Sequence, residues 1–211
     1  MVITLKNIPV FTCAYGVATL ILREIPVFGK AYILLQTIYG DRSALIAECG
    51  SFCRAAGAEK VYVKLDAPED GTVFACQIWE LERNGKQPSS EIQLTPVSTE
   101  NAEQYISLYN RRFSEVIGAA HCDRQSDFSG AWLWVKDDAV LGLGQIINGE
   151  LRAIATARPG QGKVLAMGLL AMNGDARCTL QVASNNAPAL RLYESLAFEK
   201  TKTLGSWFLV I

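Results

Sequence analysis

The sequence predicts an α/β protein, a mixed and twisted β-sheet flanked by helices. Three observations carry that prediction. Half of the residues are hydrophobic (50%) and only 19% are charged, enough to bury a core and too apolar for global disorder. Segments rich in β-branched and aromatic residues alternate with segments whose apolar residues recur every three or four positions. Finally, the order strand, tight turn, helix, glycine, strand occurs twice. It is found in "KAYILLQTIYGDRSALIAECGSFCRAAGAEKVYVKL" (Lys30–Leu65) and in "ELRAIATARPGQGKVLAMGLLAMNGDARCTLQV" (Glu150–Val182), a diverged repeat of one β-α-β unit.

The elements follow in order. "ITLKNIPVFTC" (Ile3–Cys13), "VATLILREIPVF" (Val17–Phe28) and "KAYILLQTIY" (Lys30–Tyr39) read as strands. A helix follows, capped by Asp41 or Ser43, with Leu45, Ile46, Cys49, Phe52 and Cys53 inward and Gly57 as its stop. "EKVYVKL" (Glu59–Leu65) and "TVFACQIWELE" (Thr72–Glu82) are strands. The small, polar "GKQPSSE" (Gly85–Glu91) reads as a linker and divides the chain into residues 1–86 and 87–211. The second part opens with strand "EIQLTPV" (Glu91–Val97). A long helix after Ser98 or Thr99 turns Tyr105, Leu108, Phe113 and Ile117 inward. The polar "CDRQSDFSG" leads into a hairpin, Ala131–Gly149, that turns at Asp137-Asp138. Strand "ELRAIATA", turn "RPGQG", helix "KVLAMGLLAMN", strand "ARCTLQVAS", helix "NNAPALRLYESLAF" and strand "KTLGSWFLVI" complete the chain.

Charge and composition exclude several functions. Twenty basic against twenty-one acidic residues give a net charge of −1, and no Lys/Arg run marks a nucleic-acid surface. The longest apolar run, around "YGVATLIL", is too short to span a bilayer. "MVITLKNIPV" lacks the basic and apolar regions of a signal peptide, so a soluble cytoplasmic protein is expected. None of the cysteines (Cys13, Cys49, Cys53, Cys76, Cys122, Cys178) form C-x-x-C. Cys49 and Cys53 share a helical face without two further ligands, so reduced, buried thiols are expected and no metal.

The two β-α-β copies differ at their turns. The first, Tyr39-Gly40-Asp41-Arg42, sets a carboxylate at the helix start. The second, Pro159-Gly160-Gln161-Gly162-Lys163, exposes backbone amides and adds a positive charge, so only it suits an anion. Glycines that merely permit a tight turn explain the same residues. A nucleotide-triphosphate loop keeps Gly162 and Lys163 but loses its first glycine to Ala157 and its hydroxyl to Val164, and is rejected. In the last helix Asn186 suits the N-cap and Pro188 the first turn. Ala189, Leu192, Tyr193 and Leu196 share one face, where the Tyr193 hydroxyl needs a carbonyl or a ligand as partner.

The glycine turn between two strands, followed by "NAPALRLYESLAF", resembles the Gcn5-related N-acetyltransferase (GNAT) superfamily. Its last helix commonly reads Asn-x-x-Ala-x-x-Leu-Tyr-x-x-x-Gly-Phe. Asn186, Ala189, Leu192, Tyr193 and Phe198 match, and Ala197 stands where glycine is usual. The resemblance covers Glu91–Ile211 and extends weakly to residues 1–86, which look like a truncated second copy without a cofactor turn, as in tandem-GNAT proteins. It implies the GNAT acyl-CoA N-acyltransferase fold and transfer of an acetyl group from acetyl-CoA to a primary amine of a small molecule or peptide, by direct attack. Acetyl-CoA would lie where "LRAIATA" and "CTLQVAS" splay apart, with its carbonyl polarised near Ile154, Ala155 and Thr156. Its pyrophosphate would rest on Gly160, Gln161, Gly162, Lys163 and Val164, Asn186 would touch the pantetheine or fix the helix start, and Tyr193 would protonate the leaving thiolate. The family's Arg/Gln-x-x-Gly-x-Gly/Ala turn is altered here: Pro159 takes the Arg/Gln position, Val164 the last small one, and Arg158 is one residue displaced.

Glu150 is the first candidate base, Glu80 and Glu82 the second; each also reads as an ordinary solvated acid. Trp132, Trp134 and Trp207 suit an acceptor pocket or plain packing, and His121 a loop histidine able to shuttle protons. The alternative on the same fold is a catalytically inactive acyl-CoA-sensing or interaction module. No nucleic acid or membrane partner is expected, and a homodimer is left open.

Overall fold

The computed structural model describes residues 9–173 and 177–211. The expected strand Ile3–Cys13 lies partly outside them, as does Ala176 at the head of the later strand. The chain forms two compact units. The first holds the chain through Gln77 together with Ile117–Ala120 and Gly205–Ile211; the second holds Ile78–Val116 and His121–Leu204. The expected linker Gly85–Glu91 thus falls inside the second unit, and the last residues of the chain fold with the first. Strand pairing sets this division, because one long strand leaves the first unit and another returns to it.

The first unit contains β1 (Val10–Cys13), β2 (Gly16–Ile21), a single helical turn α1 (Ile25–Phe28), β3 (Lys30–Ile38), α2 (Arg42–Ala55), β4 (Lys60–Leu65) and the start of β5 (Thr72–Asn84). β1, β2 and β3 pair antiparallel, and β3 pairs parallel with β4. The stretch Val17–Phe28 is not one strand. Pro26 sits in the first turn of α1, and Gly29, with φ +65°, closes it by donating to the Ile25 carbonyl. Pro26 has no N–H to give to a ladder, so β2, central between β1 and β3, ends before it. α2 buries Leu45, Ile46, Cys49 and Cys53 against Leu20, Ile33, Val61 and Val63.

The second unit takes the rest of β5, then β6 (Leu94–Pro96), α3 (Ala102–Phe113), β7 (Ala131–Lys136), β8 (Ala139–Ile147), β9 (Glu150–Thr156), α4 (Gly162–Met172), β10 (Arg177–Ala183), α5 (Ala187–Glu194) and the first half of β11 (Glu199–Val210). The second half of β11 pairs antiparallel with β4 in the first unit. Strand order here is β5-β10-β9-β8-β7-β6, with β10 and β9 parallel and their outer partners antiparallel. β6 is shorter than expected, ending at Pro96 on an edge where a missing donor is tolerated. α3 stops at Phe113, so Ile117, itself buried, lies beyond it and belongs to the first unit. Asp137 and Asp138, at φ 50° and 60°, make the tight β7–β8 turn, and Asn148-Gly149 the β8–β9 turn.

Two helices grip opposite faces of β8–β9. Gly142 and Gly144 leave room for Leu165 and Leu169 of α4, and a Cβ on Gly144 would come within 2.2 Å of Leu169 Cδ1. Tyr105 and Leu108 of α3 pack with Leu133, Leu143 and Ala153. Ile92, just after the linker-like stretch, packs on Gly168 of α4. Among the described residues no helix is long and apolar enough to cross a membrane.

Candidate functional site

The second unit carries an opening in its sheet. β9 and β10 share only two residue pairs, Glu150↔Thr179 and Leu151↔Leu180, after which the ladder stops. β9 remains paired with β8 as far as Thr156, and β10 with β5 along its whole length, so each strand continues while their mutual pairing ends. A β-bulge marks the place: Leu151 faces Ile146 and Ala153 faces Gln145, leaving Arg152 as the extra residue. Bulges sharpen twist and bend a strand locally. This one also exchanges the faces, sending Leu151 and Ile154 toward the α4 core and Ala153 and Ala155 toward the α3 core.

Antiparallel bonding alternates along β9. The Ala157 N–H donates to the Leu141 carbonyl at 2.8 Å, so residues 153, 155 and 157 bond to β8. Ile154 and Thr156 therefore aim their N–H and C=O toward the β10 side, where the ladder has ended. Ala155, one of the expected polarising residues, has its backbone groups turned to β8 instead.

α4 begins beside this opening without a cap. Its first helical bond runs from the Leu165 N–H to the Gln161 carbonyl at 3.2 Å, and no side chain caps it. The amides of Gly162, Lys163 and Val164 are thus free of helical partners and carry the positive end of the helix dipole. Gly160 needs its freedom for conformation, at φ +85°, and a Cβ there would meet nothing within 4 Å. Gly162 serves packing: a Cβ would press on Leu192 of α5 at 3.2 Å. The Gln161 side-chain oxygen is enclosed with no hydrogen-bond partner among the described residues. Turned over, the same amide offers two N–H donors. Val164 stands 45% exposed at the helix start. Free amides, an unstrained space at Gly160 and an orphaned amide make a donor set that fits a phosphate group.

α5 supplies the third component. The Asn186 side chain accepts from the Ala189 N–H at 3.2 Å, so it fixes the helix start. At the other end Phe198 N–H donates to the Tyr193 carbonyl and Ala197 N–H to the Glu194 carbonyl, a Schellman closure in which Ala197 takes φ +60°. That closure lays the Phe198 ring edge-on to Tyr193, centroids 5.7 Å apart. Tyr193 is 7% exposed, and burial pushes its phenol well above the ordinary tyrosine value, with nearby Cys178 adding a smaller push. No acceptor for the hydroxyl is found among the described residues.

The expected acids are placed elsewhere. Glu150 lies on the zipped end of β9, paired with Arg152 Nε at 2.8 Å. Four residue steps along the strand, about 13 Å, separate it from Ile154. Glu82 accepts from Arg177 and Asn84, which hold its carboxyl below the usual range, and Glu80 is held by Lys202 and Thr201. His121 sits 3.6 Å from Asp123 in the loop before β7. Trp132 and Trp134 pack at the margin of the cluster that includes Tyr193, whereas Trp207 belongs to the first unit, edge-on to Tyr32. All six cysteines are free, and no group of His, Cys, Asp and Glu among the described residues could hold a metal. One residue had no signal in the sequence: Arg112 of α3 donates to the Ala157 carbonyl at 2.6 Å, at the end of β9.

No protein-family model matches the chain, and no curated protein does. Solved structures do. A conserved protein of unknown function from Staphylococcus epidermidis superposes with a TM-score of 0.58 at 8% identity, covering 96% of this chain and 93% of that one. A GCN5-related N-acetyltransferase from Sphaerobacter thermophilus gives 0.53 at 14% identity, covering 92% and 75%. A tandem GNAT protein from the clavulanic acid biosynthesis pathway gives 0.51 at 14%, covering 92% and 78%. The chain has the GNAT fold, and at these identities the likeness is one of fold.

Proposed function

We propose that this GNAT-fold chain is an acyltransferase that moves an acetyl group from acetyl-CoA to a primary amine. The observation that carries the reading is the ladder of only two pairs between β9 and β10, which leaves the Ile154 and Thr156 backbone facing an open strand edge. An extended pantetheine arm can pair with such an edge as an added strand would. The free amides of Gly162, Lys163 and Val164, with Gly160 and Gln161, would take the pyrophosphate.

Acetyl-CoA, when bound, supplies an activated thioester carbonyl and a thiolate leaving group. A β9 amide facing the opening donates to that carbonyl and stabilises the negative charge that develops on its oxygen. The Tyr193 hydroxyl, unpartnered and kept protonated by burial, donates to the departing sulfur. Asn186 holds the start of α5 and the Schellman closure holds its end, so the phenol is fixed between them.

A second reading has its own observation. Glu150 and Glu82 are each engaged by an arginine, and neither is presented to the opening as a base. A module that binds acyl-CoA without transferring the acyl group needs no such base. Calorimetric titration with CoA, followed by thiol release from acetyl-CoA over an amine library, separates the readings. The enzyme binds CoA and releases thiol with at least one amine. The sensor binds without release. Absence of CoA binding overturns both.

A further inference from the structure

We propose that Arg83, on β5, is a positioning residue for Tyr193: it pins the C-terminal end of α5 to the sheet and so sets where the phenol stands. The inference rests on the acyltransferase reading above and adds to it a residue that precedes the linker-like stretch. Trp79, Leu81 and Arg83 alternate along β5 onto one face. Trp79 and Leu81 pack in the cluster that holds Tyr193, Leu196 and Phe198. Arg83 continues their row to the end of the helix. Its Nε donates to the Leu196 carbonyl at 3.0 Å, and its Nη2 to the Lys86 carbonyl at 2.7 Å.

Leu196 is tied directly to Tyr193, because its N–H donates to the Tyr193 carbonyl at 3.0 Å. The last carbonyls of a helix have no N–H ahead of them, and the dipole is negative there. Arg83 brings both a donor and a permanent charge to that end of α5. It also stands opposite Cys178 in the β5–β10 ladder. Burial pushes the Cys178 thiol up to about 11, with the Leu151 backbone and then Arg83 drawing it down. The same thiol adds a smaller push to the Tyr193 phenol, which burial has already raised. Arg83 and Tyr193 thus share Cys178 as a neighbour. The bond to Lys86 extends the tie, since Ser90 and Ile92, at the far end of that stretch, lie against Gly168 of α4. A planar guanidinium fork can hold two carbonyls at once, which one ammonium does less well. Arg83 touches no reacting atom. It acts through the Leu196 backbone on the reach of the phenol, and proton transfer depends on that reach.

The test is a double-mutant cycle. Arg83→Met keeps the apolar stem and removes every donor, while Arg83→Lys keeps the charge and a donor for one carbonyl. The kcat with acetyl-CoA and an amine that gives thiol release, and the Kd of CoA, are measured for wild type, R83M, R83K, Y193F and R83M/Y193F. R83M should lower kcat about tenfold, the loss expected of a phenol displaced by a fraction of an ångström. The Kd of CoA should hold, since the α4 amides keep their places. R83K should recover part of the loss. Added to Y193F, R83M should cost almost nothing more, because groups that act as a unit do not lose their effects in series. An equal fold loss of kcat in both backgrounds, an unchanged kcat in R83M, or a loss of CoA affinity alone would overturn the assignment and leave the acyltransferase reading intact. If R83M does not fold, R83K carries the same cycle with a smaller loss. If Y193F by itself keeps full kcat, the acid role of Tyr193 fails and this assignment with it. Wild type that turns over no amine overturns the reading and the assignment together.

Discussion

The two β-α-β segments share an order of elements and differ at two points. In β3–α2–β4 the parallel strands keep four residue pairs, Lys30↔Lys60 through Ile33↔Val63; in β9–α4–β10 they keep two. Both first strands carry a bulge, at Gln36 in β3 and at Arg152 in β9. The β3 bulge comes after the parallel pairing has run its course, while the β9 bulge directly follows the last paired residue. The helix starts differ too. Asp41, in extended conformation (ψ 110°), turns its carboxylate onto the Ala44 N–H and caps α2. Gln161 sits in helical conformation (ψ −6°), caps nothing, and leaves the α4 amides available. One architecture thus gives a closed unit or an open one, depending on where a bulge falls and what stands at one cap.

The comparison can be broken or sharpened by substitution. The largest effect belongs to Tyr193, which has no counterpart after β4. Tyr193→Phe should lower kcat about a hundredfold or more, the range of a lost general acid, with CoA affinity unchanged. Folding stability should also hold, since the hydroxyl has no partner to lose. Because burial raises the phenol, the proton needed for catalysis stays bound through neutral and mildly alkaline pH. A kcat profile should therefore show no alkaline fall from Tyr193 below the ordinary tyrosine value of about 10. Stability follows the same sign: the raised group contributes below its unfolded value, and that contribution is lost as pH rises past it.

Next in size is Gln161→Asp, which gives α4 the carboxylate that α2 has. A negative charge at the amides should weaken CoA binding roughly tenfold, read by titration, with little change in helix stability because the helical conformation there does not favour capping. The opposite change, Asp41→Ala, should cost about 1 kcal/mol in denaturant unfolding and leave CoA binding untouched. The smallest effect is Ala197→Gly. It relieves a left-handed alanine at φ +60°, and after the entropic cost of glycine the gain should be about 0.5 kcal/mol with kcat unchanged.

Local chemistry made much of this legible in the sequence. Asn186 as a cap and Asp137-Asp138 as a turn are each decided by neighbours within a few residues. The apolar period likewise gave α2, except that Phe52 is 46% exposed, and the buried Tyr105 and Leu108 of α3. What escaped depends on distant partners. The division inside β5, and the return of Gly205–Ile211 to the first unit, follow from strands that pair across most of the chain. The Arg152 bulge depends on the register of β8. Arg112 and Ala157 are forty-five residues apart, with no pattern to join them.

Amide hydrogen exchange, read residue by residue without and with CoA, tests the open strand edge most directly. Ile154, Thr156, Gly162, Lys163 and Val164 should exchange quickly in the free protein, while Ala153 and Ala155 are already slowed by β8. Saturating CoA should then protect the first group. If Ile154 and Thr156 are slow before CoA is added, or if CoA leaves all five unchanged, the opening does not receive the thioester and the account fails.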